Sequence, residues 1–212
     1  TYSGNEAAQI AYWPNTVPTE PKGIGDSLRG IYREFELVSN WLLRIFAHSL
    51  NLREDYFTDK IDRHFSILSC HHYPALIEPP RPGQLRTGAH TDFGALTILA
   101  MTDASGGLEV KMPDGHWRGV QAGRNELVVN LGDMMARWTN GRWRSTLHRV
   151  ANPKNLADAT SRRQSIGYFM HPNFDTLVEC LPTCLDPGEQ PRYAPITAGE
   201  HIAMKIAKSH DV

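Results

Sequence analysis

The chain has little cysteine and no pattern that would pair it. Cys70, Cys180 and Cys184 are the three cysteines in 212 residues, without a C-x-x-C pair, and an odd, scattered set is a poor framework for a secreted disulfide scaffold. A reducing, cytoplasmic compartment is the expectation. No apolar run approaches the ~18 residues that would suggest a membrane span, and the first residues lack the charged-then-apolar order of a signal segment. A charge excess of either sign is missing too: 22 Lys and Arg stand against 23 Asp and Glu, a net charge of -1. No global field draws such a chain onto polyphosphate or an anionic membrane, so a small-molecule substrate is favoured over nucleic-acid or membrane partners. Internal repeats and low-complexity tracts are absent.

What is present is one long helical pattern followed by many short β-rich runs. From Asp26 to Leu50, apolar Leu28, Ile31, Tyr32, Phe35, Val38, Leu42, Ile45, Phe46 and Leu50 recur at steps of three and four, the period of one helical face. After Pro79–Gly83, whose prolines and glycine forbid a regular element, "ALTILAM", "GLEVKM", "ELVVNLG", "RSTLHRVA" and "QSIGYFMHP" read as strands. Asp114-Gly115 and Asn140-Gly141 between them tolerate the positive φ of tight hairpin turns. Thr197, three residues before Glu200, has the spacing of a capping box and predicts a terminal helix. The expected fold is mainly β, a sandwich or barrel with helical support, in a single domain over residues 1–212.

The chemistry begins in "RTGAHTDFGALTILAM", residues 86–101. On an extended chain His90 and Asp92 share a face and Thr91 takes the other, so two ligands can grip one ion. Such a pair is more often a surface or hydrogen-bonded feature than a metal site, and its weight depends on partners. His148, 56 residues after Asp92 in "RSTLHRVANP", offers a third ligand; Leu147 and Val150 beside it suggest burial. Two imidazoles and one carboxylate on one face of a metal are the facial triad of non-haem Fe(II) oxygenases, and they leave positions open for O₂ and an organic ligand. Fifteen residues further on, Arg163 and Ser165 share a face by alternation, and a guanidinium fork beside a hydroxyl suits a carboxylate.

With His90-x-Asp92, His148 and Arg163-x-Ser165 in this order, and with "ELVVNLGDMM", "TNGRWRSTLHRV", "SIGYFMHP" and "PITAGEH" around them, the chain resembles the isopenicillin N synthase-like branch of the Fe(II)/2-oxoglutarate-dependent dioxygenases. The resemblance implies a double-stranded β-helix, or jelly roll, with the long helix packed outside. It implies Fe(II) on His90, Asp92 and His148, and 2-oxoglutarate held through its distal carboxylate by Arg163 and Ser165. Tyr73 matches a further co-substrate contact, with His71 standing where many relatives have Asn, and Leu99 and Val150 match apolar walls of the same pocket. O₂ is the other co-substrate, succinate and CO₂ the co-products, and the outcome on a small organic molecule is hydroxylation, desaturation or ring formation. Because the carboxylate Asp92 is kept where halogenating relatives have a small residue, halogenation is not expected. Relatives also begin with a further segment, so the resemblance implies a domain that lacks it. A natural-product or amino-acid-derived substrate suits the style of these motifs.

Competing readings stay open at this point. An oxidase in the manner of isopenicillin N synthase would use the same Arg and Ser for its substrate and need no 2-oxoglutarate. A Zn²⁺ hydrolase also uses two His and a carboxylate, and a jelly-roll binding module would keep the fold without the chemistry. Arg137, Arg142, Arg144 and Arg149, interleaved with Trp138 and Trp143, imitate a nucleic-acid patch, yet the Asn-Gly turn favours a hairpin with a basic outer side. Cys180-x₃-Cys184 lacks the further ligands of a zinc site. His48, His64, His71, His72, His116, His171, His201 and His210 read as surface or core residues.

Overall fold

A computed structural model of the protein describes residues 17–76, 78–102, 107–153 and 162–210. Helix α1 (Ile24–Ser49) is the long helix of the sequence pattern; it buries Tyr32, Phe35, Ser39, Leu43 and Ala47. The stripe is rotated slightly from the expected one. Leu43 rather than Leu42 is at its centre, and Ile45 is 58% exposed. A short helix, α2 (Thr58–Ile61), follows, and then the strands begin.

Two four-stranded antiparallel sheets form the body. One has the order β1 (Ile67–Tyr73), β8 (Arg163–Met170), β3 (Leu96–Met101), β6 (Val128–Leu131). The other has the order β2 (Thr87–His90), β7 (His148–Val150), β4 (Leu108–Lys111), β5 (Trp117–Gly119). Apart from the β4–β5 hairpin, the neighbours in both sheets are non-consecutive strands, as in a jelly roll. Helix α3 (Asp133–Trp138), the two-residue pair β9 (Leu177–Val178) and β10 (Ile196–Thr197), and helix α4 (Ala198–His210) complete the described chain.

The first sheet packs against α1 on one face and borders the cavity with the other, and alternation assigns its residues. Along β8, Tyr168 and Met170 are buried, and Tyr168 meets Tyr32 and Phe35 of α1 edge-on and tilted, with ring centroids 5.2 and 6.0 Å apart. Arg163, Ser165 and Phe169 line the interior cavity instead. On β3, Leu96 and Ile98 are fully buried, while Thr97 and Leu99 line the cavity. Helix α1 therefore seals one face of the sheet, and the other face is left to line the site.

Several local expectations change. The sheet starts before the proline-rich turn, because "ILSCHHY" forms β1, a strand whose polar composition hid it. "ELVVNLGDMM" is strand only to Leu131 and then turns into α3. Asn140 and Gly141, both at positive φ (53° and 79°), end that helix rather than joining two strands. Asn140 stays in this conformation with both ends of its carboxamide engaged: it donates to Glu189 and accepts from the Arg192 N–H. Asp114-Gly115 does form the expected hairpin turn, between β4 and β5. The Thr197–Glu200 capping box is present, with reciprocal bonds of 2.7–3.3 Å between the two residues.

Candidate functional site

Strand β2 ends at His90, with a register irregularity against β7 between Thr87 and His90. Asp92 therefore lies in the turn beyond the strand, and simple alternation is not what brings the two side chains together. The turn is held from behind: the Asp133 N–H bonds the Asp92 carbonyl at 2.8 Å, and Met134 N–H bonds Gly94 O at 3.0 Å. Gly132 permits this approach, since a Cβ on it would lie 2.2 Å from the Gly94 carbonyl oxygen. His148, opposite His90 in the β2–β7 ladder, brings its ring to a centroid distance of 4.3 Å from that of His90.

His90 Nε2 lies 3.8 Å and His148 Nε2 3.6 Å from the same oxygen, Asp92 Oδ1. One potential ligand atom from each residue falls within 4.8 Å of the others, and among the described residues this is the group with the composition of a metal site. Each ligand is oriented through its other polar atom. Nδ1 of His90 bonds the Gly88 carbonyl at 2.8 Å and Nδ1 of His148 the Thr146 carbonyl at 2.9 Å. A carbonyl only accepts, so both rings carry hydrogen on Nδ1, and Nε2 is the atom each turns toward Asp92 Oδ1. Asp92, 5% exposed, accepts on Oδ2 from Thr97 Oγ1 at 2.7 Å and Asn130 Nδ2 at 2.8 Å, which leaves Oδ1 toward the imidazoles. Ligand atoms at right angles around a first-row divalent ion, with bonds of about 2.1 Å, would sit roughly 3 Å apart. The two imidazole–carboxylate separations would close by roughly 0.6–0.8 Å on such an ion.

At the other end of the same cavity, which measures about 890 Å³ and is bordered by Tyr73, Leu99, Val150, Arg163 and Ser165 as well as the three candidate ligands, sits a cation. Arg163 is 3% exposed. Its Nη1 is buried with no hydrogen-bond partner and its Nη2 meets only the Met101 sulfur; the Tyr73 ring faces it at 5.4 Å. No carboxylate pairs with it among the described residues. Burial pulls its affinity for protons down, and the Arg86 cation adds to that while Tyr73 opposes it. A buried, unpaired guanidinium is expensive, and an incoming carboxylate is what would offset it. Ser165 is two residues along the same face, opposite His71 in the β1–β8 register. Leu147, expected to be buried, is instead 37% exposed and borders the cavity.

Thr97 and Asn130 escaped the sequence reading. Their signal was a lone polar residue at a cavity-facing position inside the apolar runs "ALTIL" and "LVVNL". The remaining motifs are structural. Trp138 is buried and Trp143 packs edge-on against Phe46, so neither ring offers a stacking platform. His64, His171 and His201 are buried; burial pushes His171 and His201 down to about 4, so both are neutral core imidazoles at pH 7. Cys184 is buried and Cys180 partly so, and neither belongs to a metal-binding group among the described residues. No helix among these residues is long and apolar enough to cross a membrane.

The sequence profile of the 2OG-Fe(II) oxygenase superfamily matches residues 64–172, just over half of the chain. The chain is 34% identical, over 93% of its length, to the "2-oxoglutarate-Fe(II) type oxidoreductase hxnY" of Emericella nidulans, and 38% identical over 80% of its length to the "Proline hydroxylase buaE" of Petromyces alliaceus. It covers 55% and 54% of those proteins, so it spans about half the length of the relatives it matches. Among solved structures, a full-length Neurospora crassa protein in complex with alpha-KG superposes with a TM-score of 0.85 at 33% identity, over 92% of this chain and 65% of that one.

Proposed function

The chain belongs to the 2OG-Fe(II) oxygenase superfamily, and from that membership we propose that it is a 2-oxoglutarate-dependent oxygenase acting on a small organic molecule, its domain extending over residues 1–212. The observation that carries the reading is the pairing of two opposite needs in one cavity. His90, Asp92 and His148 form a cluster of donors suited to a cation, and Arg163 is a buried cation suited to an anion.

In this reading His90, Asp92 and His148 hold Fe(II). Arg163 takes the distal carboxylate of 2-oxoglutarate with help from Ser165 and Tyr73, and Leu99 and Val150 keep that pocket dry. When bound, the metal and co-substrate supply O₂ chemistry that converts R–H, 2-oxoglutarate and O₂ into R–OH, succinate and CO₂, or the corresponding desaturated or cyclised product. The protein's own part is placement. Gly88 and Thr146 carbonyls fix the imidazole tautomers, Thr97 and Asn130 fix the carboxylate, and no side chain has to move a proton. A cavity of about 890 Å³, near the upper end of the ~300–1,000 Å³ common for small-molecule sites, has room for the co-substrate and a second compound. The relative named as a proline hydroxylase supports an amino-acid-derived or natural-product substrate.

The test is release of CO₂ from carboxyl-labelled 2-oxoglutarate by Fe(II)-loaded protein, with succinate formed in equal amount. Turnover that persists under strict anaerobiosis would sink the oxygenase reading. O₂ consumption with a substrate but without any 2-oxoglutarate requirement would replace it with an oxidase, Arg163 then holding the substrate's carboxylate.

A further inference from the structure

Four arginines are interleaved with the tryptophans ahead of and beside His148, and the structure accounts for three. Arg137 bonds the Ala194 carbonyl and lies over the Tyr193 ring. Arg142 bonds Asp186 at 2.7 Å. Arg149 bonds Glu109 at 2.7 Å and stacks on Trp117 at 4.2 Å. Arg144 has no ion pair, hydrogen bond or ring partner among the described residues, and it borders the cavity.

The cavity's charge inventory gives this arginine its meaning. The lining contains a single carboxylate, Asp92, and three cations, Lys111, Arg144 and Arg163. Asp92 faces the two imidazoles. Lys111 is paired in the ladder with Trp117, and its ammonium lies over that ring at 5.1 Å, on the same outer face as Arg149. Its charge is thus directed away from the interior. Arg163 lies at the buried end. Arg144 is left as the one exposed cation of the lining with neither an acid nor a ring to answer it among the described residues, and apolar Val128 and Leu147 belong to the same lining.

We propose that Arg144 binds a carboxylate of the substrate, so that the compound oxidised is a small carboxylic acid whose apolar body extends inward past Leu147 and Val128 toward His148. The proposal rests on the oxygenase reading. One guanidinium with no second inward cation matches a singly charged carboxylate better than a phosphate dianion. A cationic substrate would meet unopposed positive charge at the entrance.

The experiment uses the full chain loaded with Fe(II) and saturated with 2-oxoglutarate under anaerobic conditions, so that Arg163 is already engaged. Hexanoate, 4-phenylbutyrate and N-acetylleucine, each against its own primary amide, serve as probes, with binding read by saturation-transfer NMR. Acids should bind at least about tenfold more tightly than their amides. Arg144→Gln should abolish that preference, Arg144→Lys should keep part of it, and iron content and 2-oxoglutarate affinity should be unchanged in both. If no acid binds better than its amide, or if the preference survives Arg144→Gln, the assignment is overturned. Failure of the oxygenase reading shows separately, as protein that takes up neither Fe(II) nor 2-oxoglutarate; there the probes are compared on Arg163→Leu and on Arg163→Leu with Arg144→Gln, so that Arg163 cannot supply the preference and its loss with Arg144 still decides the assignment.

Discussion

At one end of the cavity every candidate ligand has its second polar atom engaged: His90 on Gly88, His148 on Thr146, and Asp92 on Thr97 and Asn130. At the other end Arg163 is as buried as Asp92, yet one terminal nitrogen has no partner and the other has only a sulfur. The first end is organised before anything binds; the second is organised by what binds. This difference separates the roles. A metal site needs its donors aimed and deprotonated in advance, whereas an anchor for a dissociable co-substrate gains specificity from a charge that only that co-substrate satisfies.

The sharpest break is His148→Ala. It removes one of three donors from an otherwise preset cluster, so iron content measured by metal analysis should fall to near background. Co-substrate turnover should fall by more than the roughly 100-fold that marks the upper range for loss of an outer partner. Equal iron in wild type and variant would refute the ligand assignment.

Arg163→Leu attacks the other end and should leave iron content near normal while raising the half-saturating 2-oxoglutarate concentration by about 10- to 100-fold, the range for a lost hydrogen bond to a charged group. Because the cation has no counterion among the described residues, the variant without ligand should also melt no lower than wild type, as removing an unpaired buried charge relieves desolvation. A large drop in melting temperature would mean that Arg163 is a structural ion-pair member after all.

Between these lies Asn130→Ala, which frees one lone pair of Asp92 Oδ2 without touching a ligand. Iron affinity should weaken by about 10- to 100-fold, with the 2-oxoglutarate requirement at saturating iron unchanged. An effect on 2-oxoglutarate equal to that on iron would show that the two ends are not separately built.

Much of this arrangement was legible in the residues. His90, Asp92 and His148 are polar side chains inside β-rich runs, and Arg163 and Ser165 alternate on a strand. The long helix announced itself by period. What could not be read was tertiary. Asp92 sits past the end of its strand, carried there by backbone bonds from Asp133 and Met134, so alternation named a pair that the structure brings together by another route. Thr97 and Asn130 matter because β3 and β6 are neighbours, a pairing that no local pattern encodes. Asn140-Gly141 has a hairpin's sequence, but helix α3 precedes it, and a left-handed pair terminates a helix as readily as it turns a strand.

The smallest expected effect tests how finely the anchor end is tuned. His71 borders the cavity opposite Ser165, stacked on Tyr73. Its pKa is lowered from the ordinary imidazole value of 6.5, by burial first and by the Arg163 charge second. A dianion bound at Arg163 offsets that charge and adds negative potential, so the imidazole holds a proton more tightly in the complex than in the free protein. Binding therefore takes up a proton, and 2-oxoglutarate should bind more tightly as the pH falls from the complex's pKa toward the lower one of the free protein. His71→Asn puts in place the residue many relatives have and removes the titrating group. Calorimetric titration should show a less than tenfold change in affinity at neutral pH and, relative to wild type, loss of the tightening on acidification. If wild type and variant share one pH profile, His71 takes no part in co-substrate binding.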